Sequence, residues 1–147
     1  MLEKLIHFFT GPEQKKPLPE PDANLAMGAL LVRVAKADDR VLVSELEQID
    51  RILAARNGLN PLEAAQMRAT CENLERALPE TAEFARILRD AVSYTERRAI
   101  VVSLWQVALA DGIKHEQETL LVDVIEDMLG VSADHSAEAR AAATVIP

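Results

Sequence analysis

The sequence predicts an all-α fold: an internally duplicated bundle of about seven helices behind a short N-terminal amphipathic helix. Three observations carry that prediction. Apolar residues recur at helical spacing, as in Leu104, Val107, Ala108 and Asp111 at i, i+3, i+4 and i+7. Only 3% of residues are aromatic, and no alternating apolar–polar run suggests a strand, so Leu, Val, Ile and Ala must fill a closely packed helical core. Third, the stretch Met27–Ile52 returns 73 positions later as Ile100–Ile125, with eight identities, among them Ala37/Ala110, Asp38/Asp111, Glu45/Glu118 and Asp50/Asp123. Matched chemistry at a long constant offset points to a repeated helix–loop–helix.

Taken in order, Met1–Phe9 reads as an amphipathic helix with Leu2, Leu5, Ile6 and Phe9 on one stripe. So short a helix is unstable alone in water and must dock on its own domain, a second copy, a partner or a membrane surface. Its single Lys4 supports the membrane option only weakly. Residues 10–21 hold Gly11, Pro12, Pro17, Pro19 and Pro21 and read as an extended linker. Residues 22–147 form the helical domain.

Asp22 caps a helix expected to reach Ala37. Ser44-Glu45-Leu46-Glu47 has capping-box form, starting a helix at Ser44 that Asn57-Gly58 stops. Asn60-Pro61 opens the next, to about Leu78. A helix over about Glu80–Val92 follows. Ser93 or Thr95 caps a long helix to Ala110, whose Ile100–Leu109 segment is apolar nearly all round; this is the expected central element. Trp105 falls within it as core or subunit-interface material. After Asp111-Gly112 come a helix over about Glu116–Leu129, stopped by Gly130, and an Ala-rich helix through Ala143 capped by Ser132 or Asp134. With little bulk to bury, that last helix must pack closely or fray.

Composition narrows the function. The net charge of −8 disfavours nucleic acid, whose phosphates need Lys/Arg patches. No run approaches a transmembrane span of about 20 apolar residues, and no long apolar leader follows Met1, so a cytoplasmic protein is expected. Cys71 is the only cysteine, excluding an intrachain disulfide and favouring a buried thiol. No phosphate loop, nucleophile elbow, HExxH or Glu-x-x-His is present, and no catalytic residue is assigned.

The candidate site is acidic. Asp111 ends one apolar stripe and Glu118 heads the next, with Leu121, Val122 and Ile125; Asp38 and Glu45 do the same in the earlier stretch. Each copy therefore aims an Asp and a Glu into a crevice between helices, where carboxylates must be paired, hydrogen-bonded, protonated or metal-bound. Asp38, Glu45, Asp111 and Glu118 suit a hard divalent cation, Ca²⁺, Mg²⁺ or Mn²⁺. Two acids per copy are too few for a tight cage, so loop carbonyls, water, Asp39, Glu116 or His115 must help, or the copies must pool their four carboxylates. The EF-hand spacing is not met. The competing reading needs no ligand: the aspartates brace the loops and the glutamates cap helices. The protein is then a purely structural interaction module.

An apolar helix ending Ala110-Asp111-Gly112-Ile113, a short loop, and Glu118 heading an amphipathic helix resembles the TerB-like family, named for bacterial tellurite resistance. Ala37-Asp38-Asp39-Arg40-Val41 through Glu45 resembles the same motif, with Asp39 where Gly is usual. The resemblance spans roughly residues 22–130. It implies an all-helical duplicated fold, acidic positions that take metal, and a part in stress or metal-resistance systems often linked to the membrane. It implies no enzymatic reaction, and one unlinked Cys is poorly suited to reducing an oxyanion. Together these readings describe a non-enzymatic cytoplasmic module that binds a divalent cation, a protein partner (a second copy of itself included), or both.

Overall fold

The computed structural model describes residues 21–113 and 115–145. The expected leading helix over 1–9 lies outside them, as does the expected linker over 10–21 except Pro21. The described residues form seven α-helices and no strand: α1 (Ala23–Ala35), α2 (Val43–Asn57), α3 (Pro61–Ala77), α4 (Thr81–Ala91), α5 (Tyr94–Ala108), α6 (Glu116–Met128) and α7 (Ala133–Val145).

Most ends obey the local rules of their sequence. The Asp22 carboxylate accepts the Leu25 N–H at 2.9 Å, Asn60 accepts that of Glu63 at 2.8 Å, and the Ser93 hydroxyl accepts that of Glu96 at 3.2 Å, so each caps its helix. Gly58 ends α2 in the left-handed conformation, and Gly130 follows α6 with a φ of 72°. One cap differs from expectation. Helix α2 starts at Val43 behind Leu42, not at Ser44. The Glu45 carboxylate reaches back to the Leu42 N–H at 2.8 Å, which is the return arm of a capping box whose forward arm a leucine cannot supply. Helix α1 also ends at Ala35, before Ala37, because Ala37 and Asp39 close turns onto Val34 and Lys36.

Two helices form the centre. Helix α5 is buried as its sequence predicts, from Ile100 to Ala108. Helix α1 matches it, burying nine residues and packing against α2, α3, α4, α5 and α6. Its contact with α3 leaves no room for a side chain at Gly28: a Cβ there would stand 2.2 Å from the Cys71 Sγ. Cys71 is fully buried there, and burial, followed by the charges of Asp22 and Glu72, pushes its thiol up to about 12.

Arg33, the one charged side chain of α1, is satisfied by the end of α3. It pairs with the Glu75 carboxylate at 3.1 Å, donates to the carbonyls of Glu75, Leu78 and Pro79 and to the Thr81 hydroxyl, and lies 5.3 Å over the Phe84 ring. A planar guanidinium so surrounded loses little by leaving water. Trp105 belongs to the core, donating its indole N–H to the buried Glu126. Arg140 of α7 stacks 4.6 Å over the same ring. The Ala-rich α7 packs closely on α5, burying Ala139 and Ala143.

Candidate functional site

The loop from α1 to α2 and the loop from α5 to α6 meet, because α1 and α2 both pack on α5 while α6 packs on α1 and α5. All four predicted acids come together where they meet. Glu45 and Glu118, each the third residue of its helix, form the floor with 1% and 0% exposure. Asp38 and Asp111 stand above them, 20% and 19% exposed at the side chain, with His115 between at 25%.

The two aspartates are held alike. Asp38 Oδ1 accepts the Arg40 N–H at 3.1 Å, and Asp111 Oδ1 accepts the Ile113 N–H at 2.9 Å. Each is an Asx turn that folds its own loop. Between them the first loop has Asp39 at φ 63° and the second has Gly112 at φ 76°. Asp39 thus adopts the left-handed backbone that Gly takes without cost. His115 links the loops: its Nε2 lies 2.8 Å from Asp111 Oδ2 and its Nδ1 lies 3.7 Å from Asp38 Oδ2.

The electrostatics separate rim from floor. The hydrogen bond to Asp111, reinforced by the charges of Asp111, Asp38 and Glu45, raises the His115 pKa against the opposing effect of burial. Burial works upward on Asp111, but the His115 hydrogen bond, the Ile113 N–H and the His115 charge outweigh it and leave its carboxyl below the ordinary value. Asp111 is therefore an acceptor, and His115 Nε2 carries the proton between them. On the floor the balance is reversed. Burial first, then the contact with Glu45, then the negative charges of Glu45, Asp38 and Asp111, push Glu118 up to about 9. Among the described residues, Glu45 Oε2 and both Glu118 carboxyl oxygens have no hydrogen-bond donor. One proton on Glu118, shared with Glu45, supplies a donor and removes one of two facing charges.

A cation would serve the same oxygens. Their burial without a donor, beside two further carboxylates, fits an oxygen-preferring ion. The rim does not close around one: among the described residues no three His, Cys, Asp or Glu side chains are already gathered as an ion's ligand set. Exposed Val41, Val43 and Ile113 flank the loops. Two open grooves of ≈ 340 and ≈ 380 Å³, along α5/α7 and α6/α7, lie apart from the four acids.

Residue spacing alone located the four acids and marked His115 as the histidine beside them. It did not show the His115 link to both aspartates, which depends on how the loops meet. It also missed buried Glu126, although Thr119, Val122 and Glu126 at i, i+3 and i+7 share a helix face.

Among the described residues no helix is long and apolar enough to cross a membrane. A family model described as tellurite resistance protein TerB matches residues 24–141. No curated protein and no solved structure matches the chain.

Proposed function

Because the chain belongs to the TerB family, we propose that it is a non-enzymatic helical module of a tellurite-resistance-like stress system whose acidic cluster takes a divalent cation. Asp38, Glu45, Asp111 and Glu118 would hold the ion. The carrying observation is the pair of buried glutamates whose three oxygens lack donors among the described residues. A hard cation would neutralise the repulsion that a proton now relieves, and all-oxygen ligation suits Ca²⁺, Mg²⁺ or Mn²⁺.

A binding role suits this site better than catalysis. Glu118 has the raised pKa of an acid–base group, but with no exposure it is closed to a substrate. The work of the module then lies in what it contacts, a protein partner or a second copy, and cytoplasmic placement fits a chain whose described helices are too short or too polar to cross a membrane. Its acidic charge makes nucleic acid an unsuitable partner.

Thermal unfolding of chelator-stripped protein, titrated with Ca²⁺, Mg²⁺, Mn²⁺ and Zn²⁺, tests the reading. A ligand bound only by the folded state adds ~2.7 kcal/mol at 100 times its dissociation constant, a shift of several degrees for a domain of this size. The expected result is a saturable rise that Asp111→Asn with Glu118→Gln abolishes while the fold persists. A flat response to every ion removes the cation and leaves an interaction module braced by its acids.

A further inference from the structure

We propose that His115 is the latch of the acidic site: its imidazole holds a carboxylate oxygen of Asp111 and stands in front of one of Asp38, both of which a cation needs, so an ion binds by displacing it. This rests on the cation-binding reading above.

The division of oxygens carries the inference. Each aspartate commits Oδ1 to its own loop, to the Arg40 N–H in one case and the Ile113 N–H in the other. Each turns Oδ2 toward His115, at 3.7 and 2.8 Å from Nδ1 and Nε2. Asp111 Oδ2, hydrogen-bonded to the imidazole, is engaged and cannot point freely at an ion; Asp38 Oδ2, beyond hydrogen-bond distance, has the ring standing in its way. The donor-less oxygens of Glu45 and Glu118 already sit on the floor. What remains is to release two Oδ2 atoms at the mouth, together with the proton that Glu118 shares with Glu45.

His115 is placed to let go. Its side chain is a quarter exposed, whereas the glutamates are sealed. It stands at the N-cap of α6 in an extended conformation, so it can turn toward solvent without unwinding the helix. Side chains at the mouth of a site move far more readily than packed helices. The same placement makes His115 the residue that tunes affinity and selectivity. While latched it competes with every ion alike, and removing it favours ions satisfied by oxygen alone.

Calorimetric titration of full-length, chelator-stripped protein with Ca²⁺, Mn²⁺ and Zn²⁺ at one fixed pH decides the matter. H115A is expected to bind Ca²⁺ and Mn²⁺ roughly fivefold tighter than the parent, the scale of one partly exposed charged contact. Binding by H115A but not by the parent supports the latch more strongly still. Equal affinity overturns it. So does weaker binding, above all of Zn²⁺, which makes His115 a nitrogen ligand. If neither protein binds any ion, the cation reading has failed and takes the latch with it; parent binding without tightening in H115A is failure of the latch alone. Should H115A not fold, H115Q carries the test: it lacks the imidazole that stands between the two aspartates and is expected to bind tighter than the parent.

Discussion

The two acidic loops perform the same manoeuvre with different commitments. At the offset of 73, Arg40 and Ile113 donate to Asp38 and Asp111 in matching turns. Asp39 and Gly112 share the left-handed backbone, and Leu42 and His115 occupy matching N-caps. The glutamates then part company. Glu45 spends one oxygen on the Leu42 N–H; Glu118 has no donor among the described residues for either oxygen. One acid builds its loop and the other is spare. A carboxylate that folds the chain and one available to a ligand can occupy equivalent places in a sequence pattern, and only their partners tell them apart.

The largest expected effect comes from removing the acid with a structural duty. Glu45→Ala strands the Leu42 N–H and leaves a void under Glu118, a loss of about 2–4 kcal/mol in urea unfolding. Glu118→Gln, which imitates the protonated acid, is expected to fold at least as well as the parent. Equal losses in the two variants would erase the distinction.

Acidity sharpens the contrast next. Glu118 titrates near 9 in the folded chain against an ordinary 4.5, so between those values the folded state holds more protons than the unfolded one. Stability therefore declines as pH rises from about 4.5 to about 9, by roughly 1–3 kcal/mol, with His115 acting in the same direction and Asp111 opposing it only at low pH. Urea midpoints across that range should fall for the parent and fall less in Glu118→Gln, which keeps only the His115 contribution. A parental profile rising with pH would exclude the shared proton.

Exchanging the turn residues gives the smaller effects. Gly112→Asp places a side chain at φ 76° and should cost about 1 kcal/mol. Asp39→Gly relieves the strain at φ 63° but loosens the unfolded chain, for a net gain of ~0.5 kcal/mol or less. Thermal midpoints resolve both, and a gain from Gly112→Asp would show that the loops differ in more than their glutamates.

Much of this was legible in the residues. An Asp seven positions after Leu104 and a Glu three before Leu121 are aimed inward by helical geometry alone, and Asn60-Pro61, Ser93 and Gly130 mark helix ends by conformations that few other residues supply. The start of α2 was misread because Ser44 and Glu47 also form a capping box on paper. The structure instead buries Glu45 and uses it as the cap, a choice made by tertiary packing. The centrality of α1 was equally hidden, since nothing in its own residues shows that the end of α3 surrounds Arg33. The contact of His115 with Asp38 joins residues 77 apart, 115 − 38, and no local rule reaches so far.

Cys71 offers a clock. It is the only thiol in the chain, sealed against Gly28 where two helices meet without room for a side chain and held protonated by its surroundings. A thiol-specific reagent can reach it only when that helix pair parts. With labelling slow against reclosing, the modification rate reports the free energy of opening under native conditions, without denaturant. Every loop variant and every added ion can thus be weighed by the rate at which one buried sulfur becomes alkylated.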